Sequence, residues 1–171
     1  MSLFWEDDMM TVQQKAVKAA KQIAGDNNHG YDNRPGYRLG SPDYACSSYV
    51  AACYRDAGIP VPADSYTATM LKTWKPHGFK NVAGKVDLRT GMGIRAGDVV
   101  IAPGKHTAIC VSSRTHRLAE AAGNPRGGAA NGREGDQGRE IRIRSWYDDG
   151  WSVCLRYFPG RNKPASQLLP E

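Results

Sequence analysis

The chain has 171 residues, of which 40% are hydrophobic and 23% charged, and it carries a formal net charge of +6 with a sequence pI of about 9.2. This composition excludes a globally disordered chain, and the length predicts one domain with its own core. The basic balance favours an anionic partner such as nucleic acid, an anionic membrane or an anionic cell wall, without choosing among them.

The first half of the sequence is predicted to be mainly helical. Apolar residues recur at near-helical spacing over residues 9–24, and Gly25 ends that segment. Residues 26–43 are rich in Gly, Asn, Asp and Pro, which is typical of a loop. A second helix is predicted from Cys46 to Ala57, and a third from a Ser65 cap to Trp74.

The second half changes to short apolar runs of period two, which predict strands. These strands cover residues 98–102, 106–112, 117–122, 140–146 and 152–158. The Gly-rich polar stretch 123–139 predicts a functional or mobile loop. Helices followed by antiparallel strands predict an α+β fold, with N-terminal helices packed on a sheet of about five strands.

The cysteines and the N-terminus indicate where the chain is made. Cys46, Cys53, Cys110 and Cys154 form no CxxC pair, so neither a zinc ribbon nor a dense disulfide scaffold is expected. The acidic N-terminus lacks the features of a secretory signal, and no apolar run is long enough to span a membrane. We therefore expect synthesis in the cytoplasm without a signal peptide, reduced thiols and no membrane insertion.

Cys46 is the candidate nucleophile. It lies at the predicted start of the second helix, where the helix dipole stabilises a thiolate and backbone N–H groups bind an oxyanion. Asp43 is a candidate cap just upstream, and Ser47 and Ser48 are compatible with a first helical turn. The alternative from local context alone is a small buried apolar residue, which is what most free cysteines are.

His106 is the candidate base, because it opens a strand directly after a tight turn and so can face a helix N-terminus. The other histidines, His29, His77 and His116, lie in predicted loops and turns. Spacing of four from His106 to Cys110 would suit a metal site on a helix. This segment reads as a strand, however, and no metal or other cofactor is expected.

A third polar group should orient the imidazole. If the hairpin after His106 centres on Ser113, His106 lies opposite Glu120. If it centres between residues 114 and 115, His106 lies opposite Gly123, next to Asn124. Glu120 is favoured over Asn124, because an unpaired carboxylate on an otherwise apolar strand would be costly.

Three stretches together resemble the NlpC-type cysteine peptidases, and within them the phage peptidoglycan hydrolases. They are HGYDNRPGYRLGSPDYACSSYVAACYRDAGIPV, SYTATMLKTWKPHGF, and AGDVVIAPGKHTAICV with LAEAAGN behind it, and they keep the family's order over most of residues 29–124. The resemblance implies a papain-like core with Cys46 as nucleophile, His106 as base and Glu120 at the polar third position. It also implies an aromatic substrate contact upstream of the nucleophile, at Tyr31 or, failing that, Tyr37.

One position departs from the family pattern. The family usually carries an acidic residue immediately before the nucleophile, and this chain has Ala45 there. Asp43, two residues earlier, is the nearest carboxylate and is expected, with Ser47, to contribute to substrate binding. The expected organisation is one catalytic domain, 1–171: an N-terminal helix (1–25), a catalytic core (26–122), the Gly-rich loop (123–139), and final strands with a tail (140–171).

The resemblance implies a monomeric peptidoglycan hydrolase that acts on the cell wall after release by a phage lysis system or another export route. It would cleave an amide bond in the stem peptide or at its link to muramic acid. The same Cys–His pair would also suit a transpeptidase or deamidase on another amide. A different class is a nucleic-acid-binding module, with Arg142 and Arg144 on one strand face and Arg126, Arg133 and Arg139 nearby. Nucleic acid is not the expected partner.

Overall fold

Three α-helices are present in the part of the chain that the computed structural model describes, residues 9–123 and 139–160. They are α1 (Val12–Ala24), α2 (Cys46–Asp56) and α3 (Met70–Trp74), with short 3-10 turns at Lys75–His77 and Ala83–Lys85. A capping box begins α1: the Thr11 hydroxyl accepts from the Gln14 N–H, and the Gln14 side chain accepts from the Thr11 N–H. The first two predicted helices are confirmed.

The third helix is shorter than predicted, and Ser65 is not its cap. The helix begins at Met70, and residues 66–69 form turns in which the Tyr66 carbonyl accepts from the N–H groups of residues 69 and 70. Tertiary contacts occupy Ser65 instead. Its hydroxyl donates to the Pro62 carbonyl and accepts from Trp74 Nε1, so it cannot also satisfy a helix terminus.

An antiparallel sheet follows, with six strands among the described residues, one strand more than predicted. Its strands are β1 (Phe79–Asn81), β2 (Val99–Ala102), β3 (His106–Ser112), β4 (Arg117–Ala121), β5 (Ile141–Ser145) and β6 (Val153–Tyr157), in the spatial order β1-β6-β2-β3-β4-β5. The five predicted strands are confirmed. The missed strand, β1, has three residues, too few to show a period of two, and it forms by pairing with β6.

The register of β3 and β4 matches neither predicted hairpin along its length. Ser112 pairs with Arg117 next to the turn, but Cys110 pairs with Leu118 and Ile109 with Ala119. Val111 is therefore the extra residue of a β-bulge, which shifts the rest of the hairpin by one position. Continued toward the start of β3, this register sets Ala108 opposite Glu120.

Two apolar clusters lie on opposite faces of the sheet. Alternate strand residues such as Val99, Ile109 and Ala119 pack against α1 and α2 in the larger cluster. The strand residues that point to the opposite face, such as Ala108 and Leu118, pack with Trp151 and the segment around residues 82–94 in the smaller cluster. α2 therefore lies against β3 and β4, which brings its first turn toward the start of β3.

Several predictions fall outside the described residues. These are most of the Gly-rich loop 123–139, the alternative orienting residue Asn124, the arginines Arg126 and Arg133, and the tail beyond Gly160. None of the helices described between residues 9 and 160 has the length and apolar character needed to cross a bilayer.

Candidate active site

Cys46 is the first residue of α2 and is 9% exposed, so the predicted position of the thiol at a helix N-terminus is correct. The N-cap is Ala45, with an extended backbone, and no side chain caps the helix there. The Ser48 hydroxyl instead accepts from the Ala45 N–H at 2.9 Å, which fixes the entry of the chain into the helix. The thiol therefore lies at the positive end of the helix dipole.

The other three cysteines lie in the interior of the protein. Cys53, Cys110 and Cys154 are fully buried free thiols. Burial raises the pKa of the Cys110 thiol to about 12, and it raises the pKa values of Cys53 and Cys154 as well. Because the thiolate is the reactive form, these three cysteines are structural.

The His106 ring lies between the thiol and a buried carboxylate. Its Nε2 donates to Glu120 Oε2 at 2.5 Å, and Cys46 is close enough to the ring to help raise the pKa of the imidazole. Since Nε2 is used by Glu120, Nδ1 is the ring nitrogen left for a second partner. The turn at residues 103–105 and the start of β3 hold this ring, as the sequence predicted.

The surroundings of His106 favour its protonated form. Burial lowers the pKa of the imidazole, but the hydrogen bonds and charges of Cys46 and Glu120 outweigh burial and raise that pKa to about 9. An imidazolium is therefore the state of this ring near neutral pH. A positive ring beside a thiol stabilises the thiolate by charge.

Glu120 is 1% exposed and is the centre of a polar network. Its Oε2 accepts from His106 and, at 2.6 Å, from the Tyr147 hydroxyl. Its Oε1 lies 3.5 Å from guanidinium nitrogens of both Arg142 and Arg144 on β5. Burial raises the pKa of this carboxyl, but the bonds from His106 and Tyr147 and the nearby positive charges hold it below the usual value.

Two aromatic residues after β5 pack beside His106 and Glu120. The Trp151 ring stacks on His106 with centroids 5.8 Å apart and an interplanar angle of 28°. Trp151 Nε1 donates to the Tyr147 carbonyl at 2.7 Å, and the Arg144 guanidinium lies 3.8 Å above the Tyr147 ring. The sequence analysis did not place these aromatics in the site, since nothing in their spacing links them to residues 106 and 120.

The predicted substrate contact Tyr31 lies near the thiol. It is half-buried, and burial together with the charge of Cys46 raises the pKa of its hydroxyl. Tyr31 forms an isolated parallel bridge with Tyr44, and the Tyr44 N–H donates to the Gly30 carbonyl. This pairing holds the loop before α2 beside the helix N-terminus.

Asp43 is not the cap of α2. Its carboxylate is 1% exposed and accepts from the Gly30 N–H at 2.8 Å, while its carbonyl accepts from the Gly40 N–H. Asp43 therefore joins two parts of the loop that precedes α2, and it lies two residues before the helix cap. Its proposed part in substrate binding stays a prediction.

Arg38 is a buried residue of this loop that the sequence did not single out. It is 1% exposed, and its guanidinium donates to Ser47 Oγ at 2.8 Å, the Ser65 carbonyl at 2.7 Å and Asp64 Oδ1 at 3.0 Å. It also lies 4.0 Å above the Tyr66 ring. Ser47, predicted to bind substrate, is thus held by Arg38 in the first turn of α2.

The structure brings four of the predicted site residues together: Tyr31, Cys46, His106 and Glu120. Tyr37, the alternative aromatic contact, is 44% exposed and lies beneath the Arg34 guanidinium at 4.2 Å. Within residues 9–123 and 139–160, no group of three or more His, Cys, Asp or Glu side chains is arranged to hold a metal ion.

A cysteine at a helix start, beside a histidine that is backed by a carboxylate, is the arrangement of groups that thiol-dependent acyl transfer uses. Residues 40–117 match the family model of an endolysin-like domain, a stretch that includes Cys46 and His106 and ends before Glu120. This similarity, over less than half of the chain, supports an endolysin-like class related to the cell wall. No curated protein matches the chain.

Proposed function

We propose that the chain is a papain-like, NlpC-type cysteine hydrolase that cleaves an amide bond of bacterial peptidoglycan, in the role of a phage endolysin. The bond lies in the stem peptide or at its link to muramic acid. The observation that carries the proposal is that His106, hydrogen-bonded to Glu120, lies beside Cys46 at the N-terminus of α2. The similarity of residues 40–117 to an endolysin-like domain supports the cell wall as the source of substrate.

Acylation is the first step of the proposed mechanism. The Cys46 thiolate, formed by proton transfer to His106 Nδ1, attacks the amide carbonyl carbon. Backbone N–H groups in the first turn of α2 stabilise the negative oxygen of the tetrahedral intermediate. The intermediate collapses as the C–N bond breaks, and His106 gives its proton to the leaving amine.

Deacylation restores the enzyme. His106, now neutral, takes a proton from water, and the hydroxide attacks the thioester carbonyl. The C–S bond breaks, and Cys46 leaves as a thiolate beside the imidazolium. Glu120 keeps Nε2 of the ring hydrogen-bonded throughout, so Nδ1 always faces the sulfur. The two steps together consume one amide bond and one water molecule, and they return the Cys46 thiolate and the His106 imidazolium.

The test is the release of fragments from purified peptidoglycans of different stem-peptide chemistry. Wild-type protein is compared with Cys46→Ala and with Cys110→Ala, which removes a buried structural thiol. Mass spectrometry identifies the products. A new amine within the stem peptide indicates an endopeptidase, and a free lactyl group on muramic acid indicates an amidase.

The proposal requires fragments from the wild type and from Cys110→Ala, and none from Cys46→Ala. Equal traces from wild type and Cys46→Ala would contradict it. Thiol-dependent modification of another amide, without wall fragments, would assign the same site to a transpeptidase or deamidase.

A further inference from the structure

Two arginines of β5 lie beside the Glu120 carboxylate. Arg142 is directly opposite Glu120 in the pairing of β4 with β5, and Arg144 is two residues farther along the same strand. Residues two apart on a strand share a face, so both arginines lie on the Glu120 face of the sheet. Each guanidinium has a nitrogen 3.5 Å from the same oxygen, Glu120 Oε1. We name Arg142 and Arg144 the β5 arginine pair.

The β5 arginine pair uses few of its hydrogen-bond donors. A distance of 3.5 Å to the carboxylate oxygen is longer than a usual N–H···O bond. Arg142 Nη1 lies 3.5 and 3.4 Å from the carbonyl oxygens of Gly123 and Arg139. In the part of the chain that the structure describes, neither Nη2 group donates to a protein atom. The two side chains are 21% and 41% exposed, so their remaining donors can reach a solute.

Positive charge around Glu120 exceeds negative charge. Oε2 already accepts from a tyrosine hydroxyl and from His106, whose surroundings favour the imidazolium. Among the described residues, Glu120 is the only carboxylate that pairs with either β5 arginine, and the nearby Asp149 is paired with Lys105 at 2.9 Å. One negative group thus faces three positive groups, and a Cys46 thiolate would offset only one of the two charges left. This excess favours the binding of an anion.

The chemistry of the β5 arginine pair indicates which kind of anion fits. A guanidinium binds the two oxygens of a carboxylate through parallel N–H donors. The Arg144 guanidinium lies 3.8 Å from the centroid of the Tyr147 ring, which holds it in place while its Nη2 stays available. Two neighbouring cations suit one small anion better than a charged polymer, which needs cations repeated along its length.

The β5 arginine pair lies on the leaving-group side of the proposed reaction. His106 lies between Cys46 and Glu120, and in the proposed mechanism it gives its proton to the leaving amine. The acyl part of the substrate is bound to the thiol at the first turn of α2. The amine part therefore extends past the imidazole, toward Glu120 and β5.

We propose that the β5 arginine pair binds a carboxylate of the leaving part of the substrate. This assignment rests on the proposed function, in which the leaving part is a wall peptide that carries carboxylates. It makes Arg142 and Arg144 determinants of specificity that contact the substrate. The domain thus distinguishes stem peptides with free carboxylates from stem peptides in which the carboxylates are amidated.

The experiment measures the affinity of the Cys46→Ala protein for a soluble stem tripeptide, L-Ala-γ-D-Glu-L-Lys, and for its form with both carboxylates amidated. Calorimetry gives the two dissociation constants. Arg142→Gln and Arg144→Gln each remove one charge of the pair. Arg117→Gln removes the same charge on the other face of β4, because positions 117 and 120 are an odd number of residues apart. Circular dichroism verifies folding, and Arg142→Met and Arg144→Met replace any variant that unfolds.

The Cys46→Ala protein should bind the free tripeptide about tenfold more tightly than the amidated one. Each β5 variant should weaken binding of the free tripeptide by about fivefold and change binding of the amidated one by less than about twofold. Arg117→Gln should change neither by more than about twofold. Equal affinity for the two peptides would overturn the inference. Equal losses for both peptides in the β5 variants would also overturn it, since arginines that only support Glu120 would not distinguish the peptides.

The two proposals fail separately in this design, because the binding measurement uses a protein without the nucleophile. Wall fragments released by the intact thiol, together with equal affinity for the two tripeptides, would overturn the arginine site alone. Carboxylate-dependent binding without wall fragments would overturn the hydrolase proposal alone. Tighter binding of inorganic phosphate than of the free tripeptide, with the same dependence on Arg142 and Arg144, would overturn the choice of a carboxylate.

Discussion

Glu120 reaches His106 diagonally across two strands. The register sets Ala108 opposite Glu120, yet Glu120 Oε2 lies 2.5 Å from His106 Nε2, because residues two apart on a strand share a face. The diagonal contact leaves Oε1 for Arg142, which is directly opposite on β5, and for Arg144. One buried carboxylate thus joins β3, β4, β5 and, through Tyr147, the segment that follows β5.

Alkylation should distinguish Cys46 from the other thiols. Brief treatment of the native protein with iodoacetamide at neutral pH should label Cys46 alone, because Cys53, Cys110 and Cys154 are fully buried with raised pKa values. Peptide mass mapping measures the labelled positions. His106→Ala should slow the reaction, and all four cysteines should react after denaturation. Labelling of Cys110 as fast as Cys46 in the folded protein would contradict the assignment.

Glu120→Gln should change the pH dependence of activity as well as its level. The Glu120 charge helps raise the pKa of His106 to about 9, so the wild-type rate should fall as pH rises through about 9. Loss of that charge should shift this fall to lower pH and reduce kcat/KM by about a hundredfold. Initial rates over a pH series measure both effects. Asp56→Asn, an exposed position at the end of α2, removes the same charge and should leave the profile in place.

Stability should also depend on the His106 proton. The folded pKa of about 9 is above the ordinary value of 6.5, so protonation stabilises the fold fully below about pH 6.5. That contribution, at most about 3.5 kcal/mol, is lost as pH rises through about 9. Urea unfolding at pH values from 6 to 10 measures it. The decrease in the free energy of unfolding with pH should be absent in His106→Ala and kept in His77→Ala. An equal decrease in His106→Ala would show that the His106 proton is not its cause.

Arg38→Met should destabilise the protein by about 2 to 4 kcal/mol, since it leaves buried acceptors without their donor. The acceptors are Ser47 Oγ and the Ser65 carbonyl. Arg38→Lys should recover little of this loss, because one ammonium group cannot reproduce the guanidinium fork. Chemical unfolding provides the free energies. Arg89→Ala, at an exposed position, should change stability by less than about 0.5 kcal/mol, and a similar loss there would contradict the role of burial.

Tyr147→Phe tests the second donor to Glu120. The variant keeps the ring that packs against Trp151 but removes the hydroxyl that donates to Oε2 at 2.6 Å. We expect kcat to fall by about tenfold with little change in KM, because Tyr147 acts through Glu120 and not on the substrate. Steady-state kinetics on a soluble wall fragment separates the two constants. A change confined to KM would instead mean that the hydroxyl contacts substrate.

The elements that were predicted well are those with a local signal. Gly25 and Gly58 mark helix ends, Pro103 and Gly104 mark a turn, and the period of two marks β3 over its full length. The contact between His106 and Glu120 was also predicted, but from a register that the structure does not have. The bulge at Val111 has no signature in the residues around it. The prediction still named the correct partner, because the long Glu120 side chain reaches His106 diagonally.

The missed features depend on tertiary contacts. Arg38 is buried because three acceptors and the Tyr66 ring surround it, and none of them is a neighbour in sequence. Tyr147 and Trp151 lie more than 25 residues beyond Glu120, and only the pairing of β4 with β5 brings them to the site. Ser65 has the sequence of a helix cap, but Trp74 and Pro62 occupy its hydroxyl.

The last strand among the described residues is not at the edge of the sheet. β6 lies between β1 and β2, so a ribosome must release residues up to Tyr157 before the sheet can close. Tyr147 and Trp151, which complete the surroundings of Glu120 and His106, are synthesised just before that strand. A growing chain that already contains Cys46 and His106 thus lacks a finished site. The thiol centre is thereby complete only after the segment between β5 and β6 has been added to the chain.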